Sequence, residues 1–157
     1  MIKILVFSDS HGRYNNMIKA IDMHPDCSHV IFCGDGADDI EYVEGLYPGL
    51  IFHAVKGNMD FFSDLSDYIQ TVIDGKTFIV VHGHRHGVKY SMESIRNCIA
   101  DNAADVLCFG HTHEQYLENN GSVRPKYLVN PGAAYDGDFA VISVMGNDIL
   151  VSFGRLK

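Results

Sequence analysis

The sequence contains no long apolar segment. Its apolar runs all fall well short of the roughly 20 residues that a helix needs to cross a bilayer. Residues 1–7 lack the longer apolar region and the cleavage site of a signal peptide, and they predict a strand instead. Internal repeats, low-complexity segments and Pro/Gly-rich linkers are also absent. We therefore expect a single domain over residues 1–157 that makes no membrane contact.

Positive charge is scarce. Twelve lysines and arginines stand against twenty acidic residues, which leaves a net charge of −8. Such a chain has no general electrostatic attraction for nucleic acids or anionic membranes, so we expect no long nucleic acid as a partner. An anionic substrate would need a local positive charge, and a bound metal ion is the obvious source of one.

Paired cysteine motifs are missing as well. The four cysteines, at 27, 33, 98 and 108, form no C-x-x-C pair, which argues against a zinc ribbon or a redox motif. Free cysteines are typical of a reducing compartment, so we expect a cytoplasmic protein.

Short apolar, β-branched runs recur along the chain and predict strands. They lie at 2–8, 30–33, 51–55, 68–73, 78–81, 106–109, 127–129, 139–144 and 149–153. Asp74-Gly75 between two of these runs predicts a hairpin. Helical spacing at 15–23, 37–46 and 91–103 predicts helices, the last with Ser91 as its N-cap. This order favours an α/β fold with parallel strands first and an antiparallel portion later.

The ends of five predicted strands carry the functional signal, because each runs into a glycine beside a side chain that can bind metal. In open α/β sheets, ligands bind at the carboxyl ends of strands, so the five ends can converge on one site. The alternative is that these are turn and capping residues, which applies most to Asn58 in its Gly-Asn turn. The candidate metal ligands are Asp9, His11, Asp35, Asn58, His82, His111 and His113.

Mixed carboxylate, imidazole and amide ligands suit Mn, Fe, Co, Ni or Zn better than Mg or Ca. Seven protein ligands exceed what one ion usually accepts, and one carboxylate can bridge two ions. Two divalent ions bring four positive charges, and Asp9 and Asp35 remove two. The remaining positive charge can accept a hydroxide and a phosphodiester.

The ordered motifs D-x-H, G-D, G-N, H-G-H and G-H-T-H resemble those of the calcineurin-like metallophosphoesterases. The segments FSDSHG, GNMD, GHTH and NPGA are most similar to the small YfcE-type phosphodiesterases of bacteria and archaea. The motifs extend from Asp9 to Gly132, over most of the chain. The resemblance implies a four-layer α-β-β-α sandwich of two mixed β-sheets flanked by helices. It also suggests a homodimer or higher homo-oligomer.

The resemblance further implies a dinuclear site with two divalent metal ions. Mn²⁺ is the first expectation, with Ni²⁺, Fe²⁺, Co²⁺ and Zn²⁺ as alternatives. A hydroxide between the ions would attack phosphorus in line with the leaving group. One ion would be held by Asp9, His11, Asp35 and His113. The other would be held by Asp35, Asn58, His82 and His111.

The sequence departs from the wider family at Met59, where many phosphomonoesterases carry G-N-H with a candidate acid histidine. Methionine cannot donate a useful proton. Asp60 could replace that acid, or it could be a turn cap or a carboxylate behind the metals. His84 could be a substrate contact or proton donor, or an ordinary surface histidine. Arg13 could reach a phosphate oxygen, or it could be a helix-surface charge. Specificity loops are expected at 60–66 and 114–124.

These features together predict a phosphodiesterase that acts on a small phosphodiester. A phosphomonoesterase or pyrophosphatase on the same site is an alternative, although Met59 argues against monoesters. A protein-binding scaffold is another alternative, because the resemblance includes a eukaryotic sorting-complex subunit with a degraded metal site. The complete ligand set of this chain favours catalysis. The natural substrate is not encoded in any recognisable motif.

Overall fold

The computed structural model describes residues 1–100, 104–123 and 126–157, which form two five-stranded sheets. The first sheet has the order β10-β9-β1-β2-β3 and the second has the order β4-β5-β6-β8-β7. The strands of the first sheet are β1 (Ile2–Phe7), β2 (His29–Phe32), β3 (Ile51–Ala54), β9 (Asp138–Met145) and β10 (Asp148–Arg155). The strands of the second are β4 (Tyr68–Ile73), β5 (Lys76–Val81), β6 (Val106–Cys108), β7 (Gln115–Asn119) and β8 (Tyr127–Pro131).

The helices are α1 (Asn15–Asp22), α2 (Ala37–Leu46) and α3 (Glu93–Ala100). The Ser91 hydroxyl accepts the backbone N–H of Glu93 at 3.1 Å, which confirms Ser91 as a cap of α3. The predicted continuation of α3 at 101–103 lies outside the described residues. None of the helices in the described part of the chain is long and apolar enough to cross a membrane.

Three apolar clusters hold the layers together. The central cluster joins the two sheets and includes Val6 and Ile31 from the first sheet and Val80 from the second. A second cluster packs α1 and α2 on the outer face of the first sheet. A third packs α3 through Ile95 on the outer face of the second sheet. The chain therefore forms the expected four-layer α-β-β-α sandwich.

Each sheet is mixed. In the first, β1, β2 and β3 run parallel, and β9 and β10 are antiparallel additions. In the second, β5, β6 and β8 run parallel between the antiparallel edges β4 and β7. The expectation of parallel strands first and antiparallel strands later holds only for the first sheet. The parallel strands matter most, because their carboxyl ends bring the glycine-containing loops to one edge of each sheet.

Strand β7 corrects the prediction of a specificity loop at 114–124. Residues Gln115–Asn119 pair with β8 instead, while Arg124 lies outside the described residues. The segment is an edge strand in which three of the five residues are polar, so its apolar content is too low to signal a strand. Pairing with β8 decides its structure.

The hairpin between β4 and β5 is confirmed, with Asp74 at φ 49° and Gly75 at φ 80°. Positive φ at both central residues defines the mirror-image turn, whose twist matches that of the strands.

We expect Asp74→Val to lower the free energy of unfolding by about 1–2 kcal/mol, because a β-branched residue is strained there. Asp74→Asn should stay within about 0.5 kcal/mol of the parent. Urea denaturation measures both, and equal stability of the two variants would contradict this account.

Candidate metal site

Backbone strain marks the loops that follow the parallel strands. Among the described residues, six that are not glycine have positive φ, and five of these are predicted metal ligands. The sixth is Asp74 of the hairpin. Such conformations are costly for residues other than glycine and concentrate at functional sites. The five strained ligands are Asp9, His11, Asp35, His111 and His113.

The first of two ligand groups combines the loops after β1 and β6. Asp9, His11 and His113 each place one candidate ligand atom within 4.8 Å of the others. The Oδ1 atom of Asp9 lies 3.2 Å from Nε2 of His113 and 3.5 Å from Nε2 of His11. The two histidine Nε2 atoms are 3.3 Å apart. The Asp9 and His11 pair thus points both its members toward one centre, whereas His111 and His113 divide between the two groups.

The second group combines the loops after β2, β5 and β6. Asp35, His82 and His111 also place ligand atoms within 4.8 Å of one another. Oδ2 of Asp35 is 3.2 Å from Nε2 of His82, and the His82 and His111 rings meet edge to face with centroids 5.0 Å apart. His82 is buried and His111 half-buried, so this group lies deeper than the first.

The carboxylate of each group lies close to a histidine of the other group. Oδ2 of Asp35 is 3.9 Å from Nε2 of His11, a member of the other group. Oδ1 of Asp9 is likewise 3.8 Å from Nε2 of His82. Each carboxylate therefore faces imidazoles of both groups, which is the arrangement that a bridging carboxylate requires.

Two buried polar atoms at this centre are left without a hydrogen-bond partner, namely Oδ1 of Asp9 and Nε2 of His82. The other polar atom of each of these two side chains is hydrogen-bonded. Oδ2 of Asp9 accepts the Ser8 hydroxyl at 2.5 Å and the His111 backbone N–H at 3.0 Å. Nδ1 of His82 donates to the Cys33 carbonyl oxygen at 2.7 Å, which directs its Nε2 toward the carboxylates. Cations would satisfy both orphaned atoms, so the residues fit metal ions.

The electrostatics of the deeper group differ between its two histidines. Burial alone would lower the pKa of His82, but the Asp35 carboxylate 3.2 Å away and the charge of Asp9 outweigh burial and raise it. Burial, then the charges of His82 and Lys89, lower the pKa of His111 to about 4. Burial opposes ionisation of Asp35, but the nearby His82 ring prevails and lowers its pKa. At neutral pH, His111 is therefore a neutral imidazole and Asp35 a carboxylate, the forms that bind metal.

A model of the calcineurin-like phosphoesterase superfamily domain matches residues 2–147. The chain belongs to this superfamily. A probable metallophosphoesterase of Bacillus subtilis is 32% identical over 134 residues, covering 84% of this chain and 75% of the relative. A phosphodiesterase of Methanocaldococcus jannaschii is 31% identical over 149 residues, covering 83% of each chain. Divalent metal ions are the cofactors of calcineurin-like phosphoesterases, and the two ligand groups described above are candidate sites for them.

The fold also matches a solved structure. Vacuolar protein sorting 29 of Cryptosporidium parvum superposes with a TM-score of 0.81 at 20% identity, covering 99% of this chain and 92% of that one. At this identity the likeness concerns the fold alone.

Asn58, the one amide among the ligands predicted from the calcineurin-like motifs, lies in the turn after β3 with its side chain exposed. The next residue, Met59, donates its backbone N–H to Oδ1 of Asp35 at 2.8 Å. This turn is therefore joined directly to the deeper ligand group. Coordination by Asn58 stays a prediction.

The contacts of Asp60 favour a supporting role over proton donation. Its two carboxylate oxygens accept four backbone N–H groups at 2.8–3.0 Å, which belong to Asp35, Gly36, Ala37 and Gly57. Both oxygens are therefore engaged as hydrogen-bond acceptors. Asp60 thus clamps the loop after β2 to the loop after β3, which is the alternative role that the sequence left open.

His84 and Arg13 occupy different surroundings. The centroid of the His84 ring lies 5.4 Å from that of the His82 ring and 6.2 Å from that of the His111 ring. The buried Nδ1 atom of His84 has no hydrogen-bond partner. Burial, then the charges of His82 and Arg85, lower the pKa of His84. The Arg13 guanidinium lies 3.9 Å from the centre of the exposed Tyr135 ring. His84 thus adjoins the deeper group, whereas the observed partner of Arg13 is an aromatic ring.

Asn130 is a supporting residue whose role sequence reasoning missed. It is fully buried, and its side-chain amide donates to the Gly110 carbonyl at 3.1 Å and to the Thr112 hydroxyl at 2.9 Å. Its Oδ1 accepts the Gly132 backbone N–H at 2.9 Å. Asn130 therefore fixes the loop that carries His111 and His113. The N-P-G-A segment was a visible signal, but nothing in it showed which loop the amide would hold.

Gly110 allows a close approach between two of these loops. A Cβ at this position would lie 1.9 Å from the Ser8 hydroxyl oxygen and 2.6 Å from Oδ2 of Asp9. We expect Gly110→Ala to weaken metal binding at least about tenfold, because it displaces groups that orient the ligands. Isothermal titration with Mn²⁺ measures this loss.

Gly45→Ala is the matched control, since a Cβ there meets nothing within 4 Å and Gly45 lies in a helix. It should bind Mn²⁺ as the parent does. Circular dichroism shows whether Gly110→Ala remains folded. A folded Gly110→Ala variant with unchanged Mn²⁺ affinity would contradict the proposed role of this close approach.

Proposed function

We propose that the protein is a metal-dependent phosphodiesterase with a dinuclear centre. The observation that carries the proposal is the pair of adjoining ligand groups whose two carboxylates each face imidazoles of both groups. Two nearby cations bound by one shared carboxylate are the arrangement used in two-metal phosphoryl hydrolysis. The name of the Methanocaldococcus jannaschii relative, a phosphodiesterase, supports the same reaction class.

In this proposal the first ion would be held by Asp9, His11, Asp35 and His113. The second would be held by Asp35, Asn58, His82 and His111, so that Asp35 would serve both ions. Bound divalent ions supply positive charge for the phosphoryl oxygens and lower the pKa of water toward neutrality. Mn²⁺ is the ion we propose, because the nitrogen and oxygen donors suit it, although Ni²⁺, Fe²⁺, Co²⁺ and Zn²⁺ fit the same donors.

Residues that do not bind the metals are assigned supporting and substrate-binding roles. Asp60 and Asn130 hold the loops that carry the ligands. His84 is our candidate for contact with the substrate or for proton transfer, since it lies beside His82 and His111. Arg13 is proposed to reach a phosphate oxygen, which requires it to leave the Tyr135 ring. The cytoplasmic location, the single-domain organisation and a homo-oligomeric state also remain predictions.

Met59 is the reason to propose a diester substrate. It is more than half exposed and lines the same cleft as His11 and Asp35. A thioether there cannot protonate a leaving group. On an aryl ester, which needs little acid help, charge decides the preference, because the extra negative charge of a monoester can hold it at the metals without reaction. We expect kcat/KM for methyl p-nitrophenyl phosphate, a diester, to exceed that for p-nitrophenyl phosphate, a monoester, by at least about tenfold. The two esters share one leaving group, so the comparison isolates the charge and fit of the phosphate.

The assay uses chelator-stripped protein reloaded with one metal at a time. Activity should be absent after stripping and return with Mn²⁺. A monoester kcat/KM equal to or above that of the diester would favour the phosphomonoesterase alternative. If no ester or pyrophosphate is hydrolysed with any metal, the protein-binding scaffold becomes the better account, in keeping with its likeness in fold to vacuolar protein sorting 29.

Asp35 and Asn58 test the bridging assignment. Asp35→Asn removes the negative charge that lies between the two ligand groups, so we expect loss of activity by at least about 10³-fold and of one bound ion. Asn58→Ala removes one neutral oxygen from one ion and should cost about 10–100-fold in activity, as weaker metal ligation does. Elemental analysis gives the ions per chain, and diester hydrolysis gives the activity. Equal, small losses in both variants would exclude the bridging role.

A further inference from the structure

The segment from Lys56 to Ser66 is a closed and well-anchored loop beside the metal site. Its ends meet through the Lys56 backbone N–H, which donates to the Ser66 carbonyl at 3.0 Å. Asp60 clamps its first half through the four N–H bonds described above. Leu65 anchors its second half by packing on the cluster beneath α1 and α2. The loop is therefore ordered by its own contacts.

This anchored loop nevertheless presents its largest apolar side chains to solvent. Phe62 is 100% exposed, Phe61 is 73% exposed and Met59 is 54% exposed. The loop has Leu65 to fill its contact with the core, so these exposed rings contribute little to folding. Contiguous exposed apolar side chains on an ordered loop are typical of a binding surface.

The groove that contains Phe62 adjoins the cleft at the metal ligands. The cleft that contains His11, Asp35 and Met59 also contains Ala37 and Asp38. Ala37 and Asp38 in turn line a neighbouring groove of about 340 Å³ that contains Phe62 and Leu65. A substrate whose phosphate lies at the metal ligands can therefore extend past Met59 to Phe62.

The charge of this groove restricts what can lie there. Besides Phe62 and Leu65, it is lined by the acidic side chains of Asp38, Glu41, Glu44 and Asp64. These carboxylates would repel a second phosphate, while an aromatic ring offers stacking to a flat, uncharged group.

We propose that the site takes phosphodiesters whose non-leaving group is an uncharged aromatic moiety, such as a nucleoside, and that Phe62 stacks on that moiety. This inference rests on the proposed phosphodiesterase function and names its substrate class. Phe62 is then a specificity-determining residue that acts through binding.

The test compares two diesters with the same charge and leaving group, thymidine 5′-(p-nitrophenyl) phosphate and methyl p-nitrophenyl phosphate. The Mn²⁺-loaded full-length protein should prefer the thymidine ester in kcat/KM. Phe62→Ala should lower the ratio of the two kcat/KM values by at least about fivefold, through a higher KM for the thymidine ester. Phe62→Trp should retain the preference and Phe62→Leu should lose it, because stacking requires an aromatic ring.

Leu150→Ala is the matched control. Leu150 is also an exposed apolar residue, but it lies on β10 at the opposite edge of the first sheet from β3. It should leave the ratio unchanged. Light scattering on the same proteins tests the competing use of the loop, which is contact with a second copy of the chain.

The outcomes distinguish a failure of the proposed phosphodiesterase function from a failure of the proposed stacking by Phe62. If neither ester is hydrolysed with any metal, the proposed function fails. If both are hydrolysed but Phe62→Ala leaves the ratio unchanged, the stacking proposal fails while the function stands. A Phe62→Ala variant with a smaller assembly mass and an unchanged ratio would show that the loop is a protein interface, and would likewise overturn the proposal.

Discussion

The close approach of two buried carboxylates to histidines from three separate loops is the constraint on which the rest of the structure depends. Asp9 and Asp35 are nearly inaccessible to solvent. Asp9 lies within 3.8 Å of ring nitrogens of His11, His82 and His113, and Asp35 lies within 3.9 Å of those of His11 and His82. Burying two acids together is costly unless positive charge compensates them. Divalent cations would supply that charge when they are bound.

Holding this arrangement requires support from the surrounding loops. Ser8 and the His111 backbone fix one oxygen of Asp9, and the Met59 backbone fixes one oxygen of Asp35. In each carboxylate the other oxygen is thereby left to face the imidazoles. The strained backbone of five ligand residues is the cost of aiming these side chains at one centre, and packing of the two sheets against each other compensates for it.

Several elements were predictable because their signals are local. Asp74-Gly75 predicts a hairpin from two adjacent residues, and the apolar runs predict the buried strands to within one or two residues. Strand β7 was missed because its structure comes from pairing with β8, which lies some residues further along the chain. Asp60 was left between two roles because its four N–H donors include three from a loop more than twenty residues away.

The sequence by itself determined the α/β class, the resemblance to the calcineurin-like phosphoesterases and the list of candidate ligands. These follow from residue types at short spacings, where a strand end, a glycine and a polar side chain are neighbours in the chain. Only the tertiary structure decided which carboxylate faces which ring, and that the groove containing Phe62 shares Ala37 and Asp38 with the cleft at the metal ligands. Those facts depend on the register of strands that are distant in sequence, and no local pattern encodes the distances between their ends.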